Sequence, residues 1–243
     1  MNSMEGKVIA IIGATTTMGL ATAQLLASRG ATISLACIDE DALQKAKDSL
    51  AGDGHIHHVV ELGNRAHVDS WIQGTVRALG KLDGAVNMAY IISTKPSPLK
   101  DCNIESWDKI FEVNARGTFN YIQAELNAMS PGASIVSAVR GYGGGGAPGY
   151  VAWGAAQDAI IGLSGTAARE NPDIRVNCIV MSPGSKATNQ HDGPEHTGNG
   201  PDETAQKEDL DPANVAGVIA FLLSDKASNI TGAGYNANGE WVY

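Results

Sequence analysis

The stretch that decides the fold of this chain is Val8–Leu20, which reads VIAIIGATTTMGL. Its five consecutive apolar residues, Val8–Ile12, have the pattern of a buried parallel strand. Gly13 and Gly19 follow, and a helical pattern begins at Met18. The first glycine permits a tight turn, the second lets the helix pack closely on the sheet, and the helix N-terminus favours a pyrophosphate. On its own, such a turn is as typical of a structural connection as of a binding site.

Outward from this turn, apolar runs alternate with longer helical patterns along most of the chain. After the first strand and its helix Met18–Ser28, the predicted strand and helix pairs are Thr32–Ala36 with Asp41–Leu50, Ile56–Glu61 with Val68–Leu79, Leu82–Met88 with Ser106–Met129, Ser134–Ala138 with Val151–Arg169, and Ile174–Val180 with Pro212–Leu223, before a last strand near Gly234–Asn238. This alternation predicts right-handed βαβ units and helices on both faces of an open sheet. We therefore predict an α/β fold, a Rossmann-type doubly wound parallel sheet in a single domain over residues 1–243, with ligands beyond the carboxyl ends of the strands.

Composition narrows the class of protein. The 243 residues are 43% hydrophobic and 18% charged, which is typical of one globular domain. The net charge of −9 argues against nucleic acid or an anionic membrane as a partner. There is no apolar run of membrane-spanning length and no signal-peptide pattern, and the three cysteines have no paired spacing. We expect free thiols, a cytoplasmic location and no metal site.

One polar stretch, Gly184–Asp211, interrupts the alternation. It contains almost no large apolar residue and follows the carboxyl end of a predicted strand. Long irregular insertions in compact domains are usually functional lids or disordered loops. Both alternatives stay open, and the first makes residues 184–211 a flexible lid over the substrate.

Several segments, in order and at matching spacing, resemble the short-chain dehydrogenase/reductase family over essentially the whole chain. They are the Gly13–Gly19 turn, Leu82–Ala89, Val113–Phe119, Ser134–Ser137, Ile174–Ile179, Ser182–Gly184, Val215–Asp225 and Thr231–Gly232. The resemblance implies the same fold, NAD or NADP as cofactor and a small carbonyl compound as substrate. It also implies a homodimer or homotetramer that pairs through Glu105–Met129 and Val151–Arg169.

The resemblance fails at the residues with which this family transfers protons. Family members use a Tyr and a Lys four residues apart, a Ser thirteen residues before the Tyr, and a supporting Asn. In this chain those positions hold Trp153, Gln157 and Arg140, and only Asn114 matches. An indole and an amide do not release a proton near neutral pH, and arginine stays protonated. The usual proton source is therefore missing.

The cofactor positions that the resemblance implies are also altered. Thr17 replaces a glycine of the turn, Cys37 replaces the acidic residue that binds the ribose, and Tyr90 replaces a glycine beside the expected nicotinamide channel. The implied cofactor-binding residues are Gly13, Thr15, Thr16, Met18, Gly19, Cys37, Glu61, Leu62, Asn87, Ala89, Pro183 and Gly184. The sequence does not distinguish NAD from NADP, or binding with turnover from binding without it.

Three functions stay open. In the first, a non-redox catalyst of the cyclase or isomerase type, from secondary metabolism, uses Arg140 and Asn114 to polarise a carbonyl and Trp153 as an apolar wall. In the second, an NAD(P)-dependent carbonyl reductase takes its proton from Tyr150 or from water. In the third, the chain is an inactive scaffold subunit. We favour the first, because gaining Arg and Trp in one pocket is more typical of replacement than of decay. The predicted substrate contacts are Tyr90, Tyr142, Gln157 and Lys186.

Overall fold

The strands of this protein form one parallel sheet. The computed structural model describes residues 4–92, 95–140, 146, 148–181 and 211–237. Seven strands pair in the order β3-β2-β1-β4-β5-β6-β7, and each neighbouring pair is parallel. They are β1 (Val8–Ile12), β2 (Thr32–Cys37), β3 (Ile56–Val59), β4 (Gly84–Asn87), β5 (Ser134–Arg140), β6 (Arg175–Met181) and β7 (Gly234–Asn236). The order runs outward from β1 in both directions, which confirms the predicted doubly wound fold.

Helices cover both faces of the sheet. Among the described residues they are α1 (Thr17–Ser28), α2 (Glu40–Asp48), α3 (Arg65–Leu79), α4 (Ile104–Phe111), α5 (Gly117–Ala128), α6 (Val151–Glu170) and α7 (Pro212–Leu223). Alternate residues of β1 pack on opposite faces of the sheet, because successive side chains of a strand point in opposite directions. Ile9 and Ile11 pack in the cluster that includes α1 and α7, whereas Ala10 and Ile12 pack in the cluster with α3 and α5.

The predicted elements are present, with shifted ends. Helix α3 begins at Arg65, three residues before its apolar pattern, because the Asn64 side chain accepts hydrogen bonds from the amides of Ala66 and His67. Strand β3 ends at Val59 rather than Glu61, and β5 continues to Arg140, where it pairs with Met181. Strand ends follow backbone pairing, which a charged side chain at the last position does not prevent.

The helix predicted around residues 106–129 is not a continuous α-helix. Helix α4 ends at Phe111, a π-helical turn covers Glu112–Arg116, and α5 follows directly. A π turn inserts one extra residue per turn and is frequent at functional sites. It leaves no mark on apolar periodicity, so the sequence pattern does not reveal it.

Two further features bear on the class of protein. Cys37, Cys102 and Cys178 are free thiols, as expected from their spacing. In the part of the chain that the structure describes, every helix is too short or too polar to cross a bilayer.

Candidate active site

The altered family positions meet at the carboxyl end of the sheet. Arg140 is the last residue of β5, and Trp153 and Gln157 lie one turn apart near the start of α6. Asn114 lies in the π turn that precedes α5. The fold therefore brings three of the predicted residues, Arg140, Trp153 and Gln157, to neighbouring ends of β5 and α6.

Arg140 is buried at this edge. Only 3% of the residue is exposed, and its guanidinium carbon lies 5.2 Å from the centre of the Tyr90 ring. This distance is within the range of a cation–π interaction, which offsets part of the lost hydration of a buried guanidinium. Tyr90, predicted as a substrate contact, is thus also a direct neighbour of the buried Arg140 guanidinium.

Gln157 is oriented by the backbone of β5. Its Oε1 accepts a hydrogen bond from the backbone N–H of Arg140 at 2.7 Å, so its amide nitrogen points elsewhere. That nitrogen, Nε2, is buried and has no hydrogen-bond partner in the described part of the chain. A buried donor without a partner costs free energy, and a bound ligand with an acceptor oxygen removes that cost.

Trp153 repeats this situation one helical turn earlier. The residue is 2% exposed, and its indole Nε1 is likewise buried without a partner among the described residues. Residues four apart on a helix lie on the same face. The two family positions that carry a phenol and an ammonium in the usual enzyme here carry two N–H donors that do not titrate.

Asn114 is held by the backbone rather than left open toward the site. Its Oδ1 accepts from the Ile91 N–H at 2.8 Å, and its Nδ2 donates to the Ile91 carbonyl at 2.7 Å. Both ends of this amide are therefore used to fix the segment that follows β4. This geometry favours a positioning function over direct contact with a substrate carbonyl.

Tyr150, the proposed proton donor of the reductase alternative, lies outside the helix that carries Trp153. It is the residue before α6, with φ −129° and ψ 42°, because α6 begins at Val151. The residue is 5% exposed, and burial raises the pKa of its hydroxyl. A raised pKa makes Tyr150 a weaker proton donor than an ordinary tyrosine.

A cavity of about 300 Å³ opens beside Trp153 and Tyr150. Its wall combines the start of α6 with the segment between β4 and α4. The lining residues are Lys95, Ser97, Asp101, Cys102, Asn103, Ser106, Gly149, Tyr150, Val151, Ala152 and Trp153. The cavity mixes polar groups with an aromatic wall, which suits a small organic ligand with a few polar atoms.

The glycine-rich turn fits a pyrophosphate. Thr16 caps α1, because its Oγ1 accepts from the Gly19 N–H at 3.1 Å and donates to the Gly13 carbonyl at 2.8 Å. Thr17 and Met18 begin α1, and the first amides of a helix have no intrahelical acceptor, so this helix N-terminus can donate to an anion.

The same two glycines also have a structural function. A Cβ at Gly13 would lie 2.7 Å from the Ala89 nitrogen, and one at Gly19 would overlap the Gly13 carbonyl oxygen. The glycines alone are therefore no evidence for a cofactor.

The ribose end of the implied cofactor site differs from the family. Cys37 is 9% exposed, its sulfur accepts from the Asp39 N–H at 3.2 Å, and burial raises the pKa of its thiol. Asp39 caps α2 by accepting from the Ala42 N–H at 3.0 Å. One carboxylate oxygen near the expected ribose is thus already used.

The other predicted cofactor-binding residues differ in their exposure to solvent. Glu61 is exposed, whereas Leu62 and Ala89 are half-buried after β3 and β4. Asn87 is 4% exposed and its side chain pairs with Glu125 on α5. Pro183, Gly184, Tyr142 and Lys186 lie outside the described residues, as does the predicted lid 184–211 up to residue 210.

Sequence reasoning missed Glu125. This carboxyl group is completely buried on α5. It shares a helix face with Thr118, Tyr121 and Ile122, which stand seven, four and three residues earlier. The sequence feature that could have revealed Glu125 is a carboxylate at a position where the helical pattern predicts a buried residue.

The comparisons with known proteins all find dehydrogenases or reductases. The family profile described as Enoyl-(Acyl carrier protein) reductase matches residues 13–239. The short-chain dehydrogenase/reductase aba4 of Botryotinia fuckeliana is 35% identical, over 97% of this chain and 96% of its own. Cyclopentanol dehydrogenase of Comamonas testosteroni is 29% identical, over 98% of this chain and 100% of its own. The crystal structure of levodione reductase matches with a TM-score of 0.85 at 25% identity, covering 97% of each chain.

Proposed function

The chain belongs to the short-chain dehydrogenase/reductase family, and we propose that it uses the pocket of that family for non-redox catalysis of the cyclase or isomerase type. The similar proteins are enzymes named as dehydrogenases or reductases, and this supports an enzyme that acts on a small molecule. At the family's proton-transfer positions this chain has Arg140, Trp153 and Gln157. In the proposed reaction these three side chains together bind a substrate oxygen atom that gains negative charge.

The observation that carries the proposal is the pair of buried N–H donors on α6. Trp153 Nε1 and Gln157 Nε2 have no partner in the described part of the chain, and Arg140 lies buried beside Gln157. All three groups donate hydrogen bonds and none releases a proton near neutral pH. Such a set favours a carbonyl, enolate or carboxylate oxygen, because these oxygens accept without needing a proton in return.

Preorganised donors of this kind accelerate reactions in which a carbonyl oxygen becomes more negative. Removal of one such donor from an enzyme costs roughly a hundredfold to a thousandfold in rate. Trp153 and the Tyr90 ring supply flat apolar surfaces that hold a reactive conformer, which lowers the entropy cost of ring closure. Asn114 contributes by fixing the segment of Ile91, next to Tyr90.

For the substrate we propose a small carbonyl compound of secondary metabolism. Two similar proteins are named after small molecules, cyclopentanol and levodione. The cavity of about 300 Å³ beside Trp153 has a compatible size. Tyr142 and Lys186 remain proposed substrate contacts.

NAD or NADP remains a proposed ligand. The Thr16-capped turn would hold the pyrophosphate, Cys37 would lie at the ribose and Glu61 at the adenine. The other proposed cofactor-binding residues are Gly13, Thr15, Met18, Gly19, Leu62, Asn87, Ala89, Pro183 and Gly184. When bound in enzymes, the nicotinamide group supplies or accepts a hydride. Trp153, Gln157 and Arg140, which occupy the family's proton-transfer positions, supply no proton to match that step.

A reductase with an unusual proton donor is the second candidate. The names of the relatives favour it, since they are dehydrogenases and reductases. Tyr150 and water are its candidate donors, and the raised pKa of the buried Tyr150 hydroxyl argues against the first of them.

We also propose a homodimer or homotetramer in the cytoplasm. Phe119 on α5 and Ile161 on α6 are each 43% exposed although both are large and apolar. Phe119 lines a groove of about 590 Å³ between these helices. Free cysteines suit a reducing compartment.

The oxyanion proposal is tested with 2-naphthol, a flat phenol whose fluorescence reports its ionisation. A site made of fixed donors stabilises the naphtholate, so the pKa of the bound probe should fall below that of the free probe. Arg140→Met, Trp153→Phe and Gln157→Met should each weaken naphtholate binding by roughly tenfold to a hundredfold. Gln73→Met, on the exposed side of α3, is the matched control and should have no effect. An unchanged probe pKa in the wild-type protein would contradict the proposal.

A further inference from the structure

Glu125 is a fully buried carboxyl group outside the proposed reaction site. It lies on α5 with 0% exposure, and its Oε2 accepts a hydrogen bond from Asn87 Nδ2 at 3.1 Å. Asn87 is the last residue of β4, and the same Nδ2 lies 3.5 Å from Ser137 Oγ on β5. This contact joins the middle of α5 to the carboxyl end of β4.

Two acceptor atoms in this pair have no donor. Glu125 Oε1 and Asn87 Oδ1 are both buried, and neither has a hydrogen-bond partner in the described part of the chain. An ionised carboxylate cannot correct this, because it has no hydrogen to donate. A protonated carboxyl can, because a single proton on Oε1 is a donor for Oδ1 while Nδ2 continues to donate to Oε2. Both orphaned acceptors are then satisfied in one cyclic acid–amide pair.

We propose that Glu125 is held as a neutral carboxylic acid paired with Asn87, and that this pair positions the end of β4 for the site. The segment that follows Asn87 carries Tyr90, whose ring lies 5.2 Å from the Arg140 guanidinium carbon, and Ile91, whose backbone bonds Asn114. Glu125 is thus a positioning residue. The link to Arg140 rests on the proposed function, whereas the protonation state does not.

The surroundings of Glu125 contain no compensating cation among the described residues. Asn87 and Ser137 are neutral, and the buried residues of the two helices beside α5 are uncharged: Val68, Trp71, Ile72 and Thr75 on α3, and Ala152, Trp153, Ala156, Gln157, Ile160, Ser164, Ala167 and Ala168 on α6. Tyr121 is the titratable neighbour on α5 itself, and burial raises the pKa of its phenol well above the usual range. Arg140 lies three residues beyond Ser137, roughly 10 Å along β5. Burial accordingly raises the pKa of Glu125 to about 8.

The sign of the resulting pH dependence follows from linkage. The carboxyl binds its proton up to about pH 8 in the folded protein, but loses it near its ordinary pKa of 4.5 in the unfolded chain. Its contribution to stability is therefore complete below about pH 4.5 and is lost as the pH rises to about 8. Glu125→Gln removes this loss, because glutamine keeps the donor and the acceptor without ionising.

The test is the melting temperature of the full chain across about pH 5 to 8.5. We expect the wild type to lose several degrees relative to Glu125→Gln over this range. Glu105→Gln, an exposed glutamate on α4, is the matched control and should stay parallel to the wild type. A difference between wild type and Glu125→Gln that does not change with pH would overturn the proposal.

Infrared difference spectra of wild type minus Glu125→Gln give an independent readout at pH 7. They should contain the carbonyl stretch of a protonated carboxyl group, and a carboxylate band in its place would also overturn the proposal. The positioning effect is measured with 2-naphthol binding, which Glu125→Ala should weaken and Glu125→Gln should restore. If the probe does not bind to the wild type, the proposed function fails while the melting and infrared results still decide the state of Glu125.

Discussion

Arg140 is 3% exposed, and a guanidinium so placed needs partners to offset its lost hydration. The Tyr90 ring is one such partner, at 5.2 Å from the guanidinium carbon. The aromatic face, rather than the Tyr90 hydroxyl, faces the cation in this interaction. The Tyr90 ring is therefore one determinant of where the charge of Arg140 lies in the site.

Replacement of Tyr90 tests this pairing. Tyr90→Leu should weaken 2-naphtholate binding by about twofold to thirtyfold, since a cation–π contact is worth about 0.5–2 kcal/mol. Tyr90→Phe keeps the ring and should bind the probe within about twofold of the wild type. Fluorescence titration measures both, and equal weakening by Leu and Phe would show that the ring does not hold Arg140.

Individual residues explain why the sequence predicted the site only in part. The identities at positions 140, 153 and 157 are enough to exclude the usual proton relay, because their chemistry does not depend on the fold. The unpartnered nitrogens of Trp153 and Gln157 could not be predicted, because they depend on three-dimensional contacts, such as the one between the Gln157 amide oxygen and the Arg140 backbone N–H. Asn114 matched the family in identity, yet its bonds to Ile91 become visible only in three dimensions.

At the scale of elements, the π turn Glu112–Arg116 connects α4 and α5 to the segment after β4. Asn114 lies in this turn and is 0% exposed. Its two hydrogen bonds satisfy the N–H and the carbonyl of Ile91, which would otherwise be left without these partners. The turn and the segment are thereby fixed to one another.

Asn114→Ala should destabilise the fold by about 2–4 kcal/mol, because two backbone groups lose their partners. Chemical denaturation measures the change in the free energy of unfolding. Asn103→Ala, which removes a helix cap on α4, should cost about 1 kcal/mol, and the exposed Asn214→Ala on α7 should cost less than about 0.5 kcal/mol. An Asn114→Ala cost no greater than that of Asn103→Ala would contradict this account.

Element types were more predictable than element ends. Apolar runs and helical periodicity gave all seven strands their approximate positions because burial governs both patterns. Helix starts depend on caps such as Asn64, which stands before the apolar pattern of α3. The last residues of β5 depend on pairing with β6, which a single-strand pattern does not report.

For the whole molecule, the groove between α5 and α6 is the surface that the proposed dimer would cover. Phe119→Asp places a charge in this groove and should shift the protein toward a smaller species in sedimentation velocity experiments, because a buried unpaired charge opposes association. Ile38→Asp is the matched control, since Ile38 is 70% exposed after β2 and far from the groove in sequence. The same sedimentation coefficient for wild type and Phe119→Asp would place the interface elsewhere.

The doubly wound architecture could be predicted from the chain because alternation of strands and helices leaves few topologies. The activity could not be predicted in the same way, because one fold supports many reactions and the site decides among them. In this chain the decisive region is small: the end of β5, the start of α6 and the segment after β4.

Hydride transfer in a single turnover is the measurement that tests the central claim most directly. The wild-type protein and the triple variant Arg140→Ser, Trp153→Tyr and Gln157→Lys are each mixed with reduced NAD or NADP and a panel of cyclic ketones, and nicotinamide absorbance is followed. We expect no oxidation by the wild type and measurable oxidation by the variant, because the variant restores a titrating phenol at position 153 and an ammonium group at position 157. Oxidation of the reduced nicotinamide by the wild type, with formation of the matching alcohol, would contradict the account.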